Sequence, residues 1–530
     1  MHDAIVIGSG AGGLAAALTL AQAGRSVLVL EACKQFGGFL NPFARKKFHF
    51  DTGVHYVGEA YPGGSLSRTF ERFELGIEWN ELTPDGFDWY VFPDYEVKLC
   101  KGRERFQQRL SDDFPAERDG IASVFALITE VETALRTLSR IRGPVSLGRA
   151  LPHLPALVRW GRATLAQLLD HYLRDQRLKN AFAGPCGDLG LPPSRLSGLY
   201  HLALLAHYLG GGFYPKGGAG AIRDAYLERL AEHGAELHRN AAVAEIEVEG
   251  GRAVGVRTRD GHLHRARVIV SNLEGVATYR MAGIRRSGML APKLQKVEPS
   301  HGSFMVFLGV EGDLAGNRIG DNNVWHYASA DIDALYARVA RDELPSPDAC
   351  FITIPSLKDP DWPDRPRAQR KAPEGHHIVE LVTLASPEPF RRWFGMPTLK
   401  RGAEYDALKQ RLAEPFLELA EQYIPGVSSR VVIQEVATPA TNAHYVQNDS
   451  GQIYGPAHTP SQVLLGRFPA KTPLDGLYLC GASVIGCGVM PCTKSGVLAG
   501  RLALRELDEQ SASRGGWRST LRSVRDLMPI

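Results

Sequence analysis

Residues 4–31, "AIVIGSGAGGLAAALTLAQAGRSVLVLE", restrict the fold more than any other stretch of this chain. They read as an apolar strand, a glycine-rich turn, an alanine-rich helix, a stop at Gly24 and a second apolar strand that closes on an acid. That order is a complete βαβ unit. In the turn formed by Gly8, Ser9, Gly10, Ala11, Gly12 and Gly13, Gly8 permits the tight bend and Gly10 lets the backbone approach a pyrophosphate. Gly13 allows the helix to pack close to the strand, while the helix start aims its free N–H groups at phosphates. Glu31 ends the second strand, where a carboxylate accepts bonds from ribose hydroxyls and disfavours a 2′-phosphate. The unit predicts a bound dinucleotide without saying which one.

At 530 residues the chain exceeds what one hydrophobic core supports, so two or three domains are expected. Lys plus Arg, at 61, nearly balances Asp plus Glu, at 58, and the net charge of +3 gives no electrostatic case for a nucleic-acid partner. The seven cysteines are odd in number and scattered, which points to a reducing compartment, and the cytoplasm is the expected location. "MHDAIVIGSG" lacks a basic leader and reads as the first strand, not a signal peptide. The longest uncharged run, between Arg195 and Lys216, contains two histidines and three consecutive glycines, so it predicts a buried helix and not a membrane span. No metal site is expected: the adjacent histidines of "GHHIVE" point to opposite faces of a strand, and the spacings of Cys480, Cys487 and Cys492 are not those of zinc knuckles.

After Glu31 and Ala32 the chain continues "CKQFGGFLNPF", and the paired Gly37 and Gly38 let the backbone pass close to a ligand. This stretch resembles the FAD-dependent family that contains phytoene desaturases, carotenoid isomerases, retinol saturases and amine oxidases. "FDTGVHYVGE", residues 50–59, together with "GGFYPKGGAGAI" resembles the retinol saturase form most closely. The family often carries a basic residue after the glycine pair, where this chain has Phe39. The resemblance implies an α/β fold, with a Rossmann-type FAD-binding domain of the amine oxidase/phytoene desaturase kind and an α+β substrate domain. It implies that residues 1–75, 212–280 and 431–510 build the discontinuous FAD-binding domain, that 76–211 and 281–430 build the substrate domain, and that 511–530 form a basic tail.

Site residues follow from the same resemblance. "AAVAEIEVEGGRAVGVRT" resembles the segment whose valine, here Val243, contacts adenine through its backbone. "GLYLCGASVIGCGVMPCTKSGVLAG" resembles the C-terminal flavin motif, which implies Gly481, Ala482 and Ser483 near the ribityl and pyrophosphate groups and Gly488, Val489 and Met490 at the flavin ring. Asp51 and Gly53 shape the turn before the ring, and Val54 and His55 then face it.

A flavin passes hydride to an activated C=C bond, and the second carbon needs a proton; His55, Tyr56 and Tyr214 are the candidate donors. The expected activity is FAD-dependent saturation or desaturation of a C=C bond in a hydrophobic polyene, a retinoid or carotenoid. A carotenoid isomerase that uses reduced FAD, an amine oxidase and a lipid carrier on the same fold stand as alternatives. With no second dinucleotide fingerprint, the electron donor is NAD(P)H visiting the flavin site or a redox partner. Residues 148–173 mix Arg and Trp with Leu at near-helical spacing, which suits an amphipathic helix over the core or a contact with a membrane surface.

Overall fold

The computed structural model describes residues 1–139, 152, 154–284, 291–365 and 370–514. Strands His2–Ile7 and Val27–Leu30 pair in parallel, with Ile5 opposite Leu28. Every residue of Val27–Leu30 is buried, as a continuous apolar run must be in a parallel sheet covered on both faces. Leu263–Ser271 lies parallel on the other side of His2–Ile7, and Leu477–Leu479 pairs in parallel with it in turn. Glu236–His238 adds beyond Val27–Leu30, and the hairpin Val243–Glu249 with Arg252–Thr258 completes the seven strands. Three distant regions of the chain thus meet in one sheet.

Helix Ala11–Ala21 covers this sheet and packs beside the helix Val489–Arg514, which also meets Leu263–Ser271 and Leu477–Leu479. A Cβ on Gly496 would lie 2.1 Å from the Gly12 carbonyl oxygen, so the two helices meet at backbone distance. That contact carries the C-terminal motif to the glycine turn.

A second seven-stranded sheet runs Val431–Ala437, Gly302–Glu311, His376–Ala385, Ala349–Thr353, Asn323–Tyr327, Asp88–Val91 and Glu96–Leu99. Val431–Ala437 pairs antiparallel with Gly302–Glu311, so this sheet extends past residue 430. Helix Ala403–Tyr423 packs Leu412, Phe416 and Leu419 on one face, against Phe304, Val306 and Leu308. The other face meets a helical layer that includes Arg118–Ser139, Leu165–Tyr172 and Gly198–Tyr208, with Trp325, Tyr327 and Phe351 in the shared core. The uncharged run therefore folds as helix Gly198–Tyr208 with Leu199, Leu202 and Leu205 buried. Among the described residues no helix is long and apolar enough to cross a membrane.

The amphipathic stretch 148–173 forms two short helices, Pro155–Trp160 and Leu165–Tyr172, and residues 148–151 and 153 lie outside the described residues. So does the tail beyond Arg514.

Candidate active site

A cavity of about 790 Å³ opens between the two sheets and the helical layer. Along one end its wall is the turn from Gly8 through Ser9, Gly10, Ala11 and Gly12, followed by Glu31, Ala32, Gly37 and Gly38. Val243 lines it beside Arg259. Gly481, Ala482, Ser483, Gly488, Val489 and Met490 line it from the C-terminal motif, and Gly53, Val54, His55 and Tyr56 from the segment after Phe48–Phe50. The far end is apolar and aromatic, with Leu199, Leu204, Trp325, Tyr336 and Phe351 in the wall.

Three of the residues singled out in the sequence do not line the cavity. Gly13 packs inside the βαβ unit, where a Cβ would come within 2.0 Å of the Gly8 carbonyl oxygen. Asp51 and Tyr214 are buried behind the wall, where the Tyr214 hydroxyl donates to Asp51 Oδ2 and Lys371 Nζ lies 2.9 Å from the same oxygen. The Ala219 amide donates to Asp51 Oδ1 at 3.3 Å. Asp51 therefore acts on the turn it belongs to, and Tyr214 is held away from the cavity by its bond to Asp51.

Glu31 is engaged within the loop itself: its Oε2 accepts from the Ser9 amide at 3.0 Å and from the Ser9 hydroxyl at 2.5 Å, and its Oε1 accepts from the Cys33 amide at 2.8 Å. Oε2 has both lone-pair sites filled, and Oε1, with one backbone donor, keeps capacity for a further donor. Asn272, which ends the strand Leu263–Ser271, reaches the same place: a Cβ on Gly12 would lie 2.6 Å from its Oδ1 and 2.8 Å from the Gly481 amide nitrogen. The sequence reading passed over Asn272, although it stands at the strand end "ARVIVSNL", the kind of position from which a side chain leaves a sheet toward a site.

His55 and Tyr56 lead into a buried polar network. His55 Nδ1 lies 3.0 Å from Glu380 Oε2, and Glu380 Oε1 accepts the Asp51 amide at 2.9 Å. Burial raises the Glu380 carboxyl, and the His55 contact opposes that rise. Lys358 Nζ donates to the His55 carbonyl oxygen at 2.8 Å and to Asn323 Oδ1; burial pushes this ammonium down to about 7. The Tyr56 ring stacks on Tyr208 with centroids 4.7 Å apart, and its hydroxyl meets two carboxyl groups, Asp88 and Asp188. Of these acids only Asp188 lines the cavity. Asp88, Asp188, Lys358 and Glu380 went unread in the sequence, since each is one charged residue in a segment that otherwise reads as core or turn.

Residues 11–298, more than half of the chain, match the flavin containing amine oxidoreductase family. The chain belongs to that family. As a flavin containing amine oxidoreductase by descent, it is an FAD-dependent oxidoreductase. It is 28% identical to the all-trans-retinol 13,14-reductase of Danio rerio over 94% of its own length and 84% of that protein. It is 28% identical to the chloroplastic prolycopene isomerase of Arabidopsis thaliana over 97% of its length and 84% of that protein. Among solved structures, an oxidoreductase from Methanosarcina mazei superposes with a TM-score of 0.63 at 19% identity, covering 94% of this chain and 99% of the other. Putrescine oxidase bound to putrescine superposes with a TM-score of 0.61 at 12% identity, covering 95% and 99%. Both share the fold.

The family's FAD fits this cavity. No side chain caps helix Ala11–Ala21 at Gly10, which leaves the first-turn amides to a ligand facing the turn. A Cβ on Gly38 would stand 3.3 Å from the Gly10 Cα, so the bare backbones of two loops border the cavity side by side.

Proposed function

We propose that this protein saturates a C=C bond of a hydrophobic polyene, a retinoid or carotenoid-like isoprenoid, with FAD as its redox group. The observation that carries the reading is the shape and chemistry of the cavity, which passes from the glycine-lined end into an apolar, aromatic end and meets few ionisable side chains on the way. The aromatic portion built by Trp325, Tyr336 and Phe351 would bury the length of a polyene. The activities for which the relatives are named, retinol reduction and prolycopene isomerisation, both concern conjugated polyenes.

In this reading Gly8, Ser9, Gly10, Ala11 and Gly12 hold the pyrophosphate, Glu31 the ribose and Val243 the adenine. Gly37, Gly38, Gly481, Ala482 and Ser483 border the ribityl chain, and Val54, His55, Gly488, Val489 and Met490 border the ring. Bound FAD supplies hydride chemistry at the substrate carbon. The chain itself excludes water, orients the polyene and manages the proton. Glu380 beside its imidazole and Lys358 on its carbonyl oxygen fix His55, so this side chain orients, and the proton belongs to the group of Tyr56 and its two carboxyl neighbours. Electrons come from a two-electron donor of the NAD(P)H class or from a redox partner protein.

The test is the absorption spectrum of the purified protein, followed anaerobically after dithionite reduction and addition of all-trans-retinol or a poly-cis carotene. Flavin reoxidation together with a product two hydrogens heavier establishes saturation. A flavin that stays reduced while the polyene changes only its cis/trans form makes the protein an isomerase, the second reading that the plant relatives favour. A protein that binds no flavin refutes both.

A further inference from the structure

Asp188 belongs to no motif read from the sequence, yet it is a half-buried acid on the cavity wall. It lies in the turn Gly184–Leu189, and its carbonyl oxygen accepts the Cys487 thiol at 3.5 Å. Cys487 immediately precedes Gly488, Val489 and Met490, and Tyr56 immediately follows Val54 and His55. The carboxyl thus stands where the two segments proposed for the flavin ring converge.

Hydrogen counting fixes which acid carries a proton. Tyr56 Oη lies 2.8 Å from Asp88 Oδ2 and 3.2 Å from Asp188 Oδ2, but a phenol has one hydrogen. Both contacts are hydrogen bonds only when one acid donates to the phenol oxygen while the other accepts from it. Asp88 is the better carboxylate, because Asn323 Nδ2 donates to its Oδ1 at 2.8 Å and the Lys358 ammonium backs that amide. Around Asp188 stand the hydroxyls of Tyr56 and Tyr208 and the Asp88 carboxyl. Tyr90, Tyr454, Cys186 and Cys487 also feel its charge, and none of these four is a cation. The extra proton therefore rests on Asp188. Burial first and the Asp88 charge second push its carboxyl up to about 7.

We infer that Asp188 is the proton donor that completes saturation of the C=C bond, held in place by Tyr56, Tyr208 and Asp88. The inference rests on the function proposed above. Saturation adds a hydride, with its two electrons, to one carbon and a proton to the other. The hydride comes from FAD reduced by the two-electron donor already named. For the proton, the Asp188 O–H bond breaks, a C–H bond forms and Asp188 is left as a carboxylate. Water restores its proton once the product leaves the cavity.

The variant Asp188→Asn keeps the size of the side chain and removes the acid. In flavin-loaded protein reduced with dithionite, with all-trans-retinol as the probe, we expect unchanged flavin content and retinol binding but reoxidation slowed by about 100-fold or more. Asp188→Glu should recover part of that rate. Apart from turnover, the infrared spectrum of the wild-type protein at neutral pH should show the C=O stretch of a carboxylic acid that Asp188→Asn lacks.

An Asp188→Asn rate within about threefold of a saturating wild type overturns the donor role and leaves the function standing. A wild type that saturates no polyene removes the function, and the donor role with it. Should Asp188→Asn lose its flavin, the wild-type rate against pH decides: a fall as pH rises through about 7 supports the donor, and a flat profile overturns it.

Discussion

Replacing Lys371 with methionine isolates the ion pair that anchors the segment carrying Val54, His55 and Tyr56. The Lys371 and Asp51 side chains are 4% and 1% exposed, with Nζ 2.9 Å from Oδ2, so almost no water screens the pair. Methionine keeps the length of the stem and strips the carboxylate of its counter-charge. The Tyr214 hydroxyl and the Ala219 amide remain as donors to Asp51.

Removing one partner of a buried pair costs about 3–5 kcal/mol, and the two surviving donors put Lys371→Met near the lower figure. The double variant Asp51→Asn with Lys371→Met carries no orphaned charge and should regain at least half of that loss. Urea unfolding followed by circular dichroism, read as the shift of the first transition, measures both variants against wild type. A single-variant cost under about 1 kcal/mol, or a double variant less stable than the single, would refute the reasoning. It would mean that solvent reaches the pair.

Three further outcomes follow from the geometry. Gly12→Val should abolish FAD retention, measured as the flavin-to-protein absorbance ratio, because its Cβ would meet Asn272 Oδ1 at 2.6 Å and the Gly481 amide at 2.8 Å. His55→Ala should cost roughly 1–3 kcal/mol by leaving Glu380 Oε2 buried without its partner, and adding Glu380→Gln should restore most of it in the same urea assay. Asp188 binds its proton more tightly folded than unfolded, so its favourable contribution is complete below about pH 4 and disappears as pH rises to about 7. Asp188→Asn should therefore gain stability relative to wild type across that window, by on the order of 2–4 kcal/mol at pH 8. A difference that does not vary with pH would show an acid already ionised.

Much of the cofactor end was legible because its signals are local. Continuous apolar runs on either side of a glycine turn mark the strands and helix of residues 4–31, and Gly12 and Gly13 stand where a Cβ has no room. The three-part assembly of the first sheet was not written in any local period. Leu477–Leu479 is three apolar residues, and only its parallel pairing with Leu263–Ser271 gives it a place beside the glycine turn. Resemblance supplied that link. Asp188 had neither support: in "GPCGDLGLPP" an aspartate among glycines reads as turn chemistry. Its partners, Tyr56, Asp88 and Tyr208, come from three other segments.

The contrast between two buried clusters explains why residue type alone misassigned Tyr214. Tyr214 and Tyr56 both hydrogen-bond an aspartate in the interior, and a sequence presents them as equivalent donors. Beside Tyr214 the aspartate it bonds, Asp51, has its own lysine, and the cluster clamps a turn. Beside Tyr56 stand two carboxyl groups, and only Asp88 reaches an ammonium, that of Lys358 through Asn323. Two adjacent acids with one cation between them cannot both ionise in a dry interior, so the second must keep a proton. A proton held for electrostatic reasons on a cavity wall is one that a substrate can take. Charge balance across segments, which only the folded chain brings together, separates the clamp from the acid.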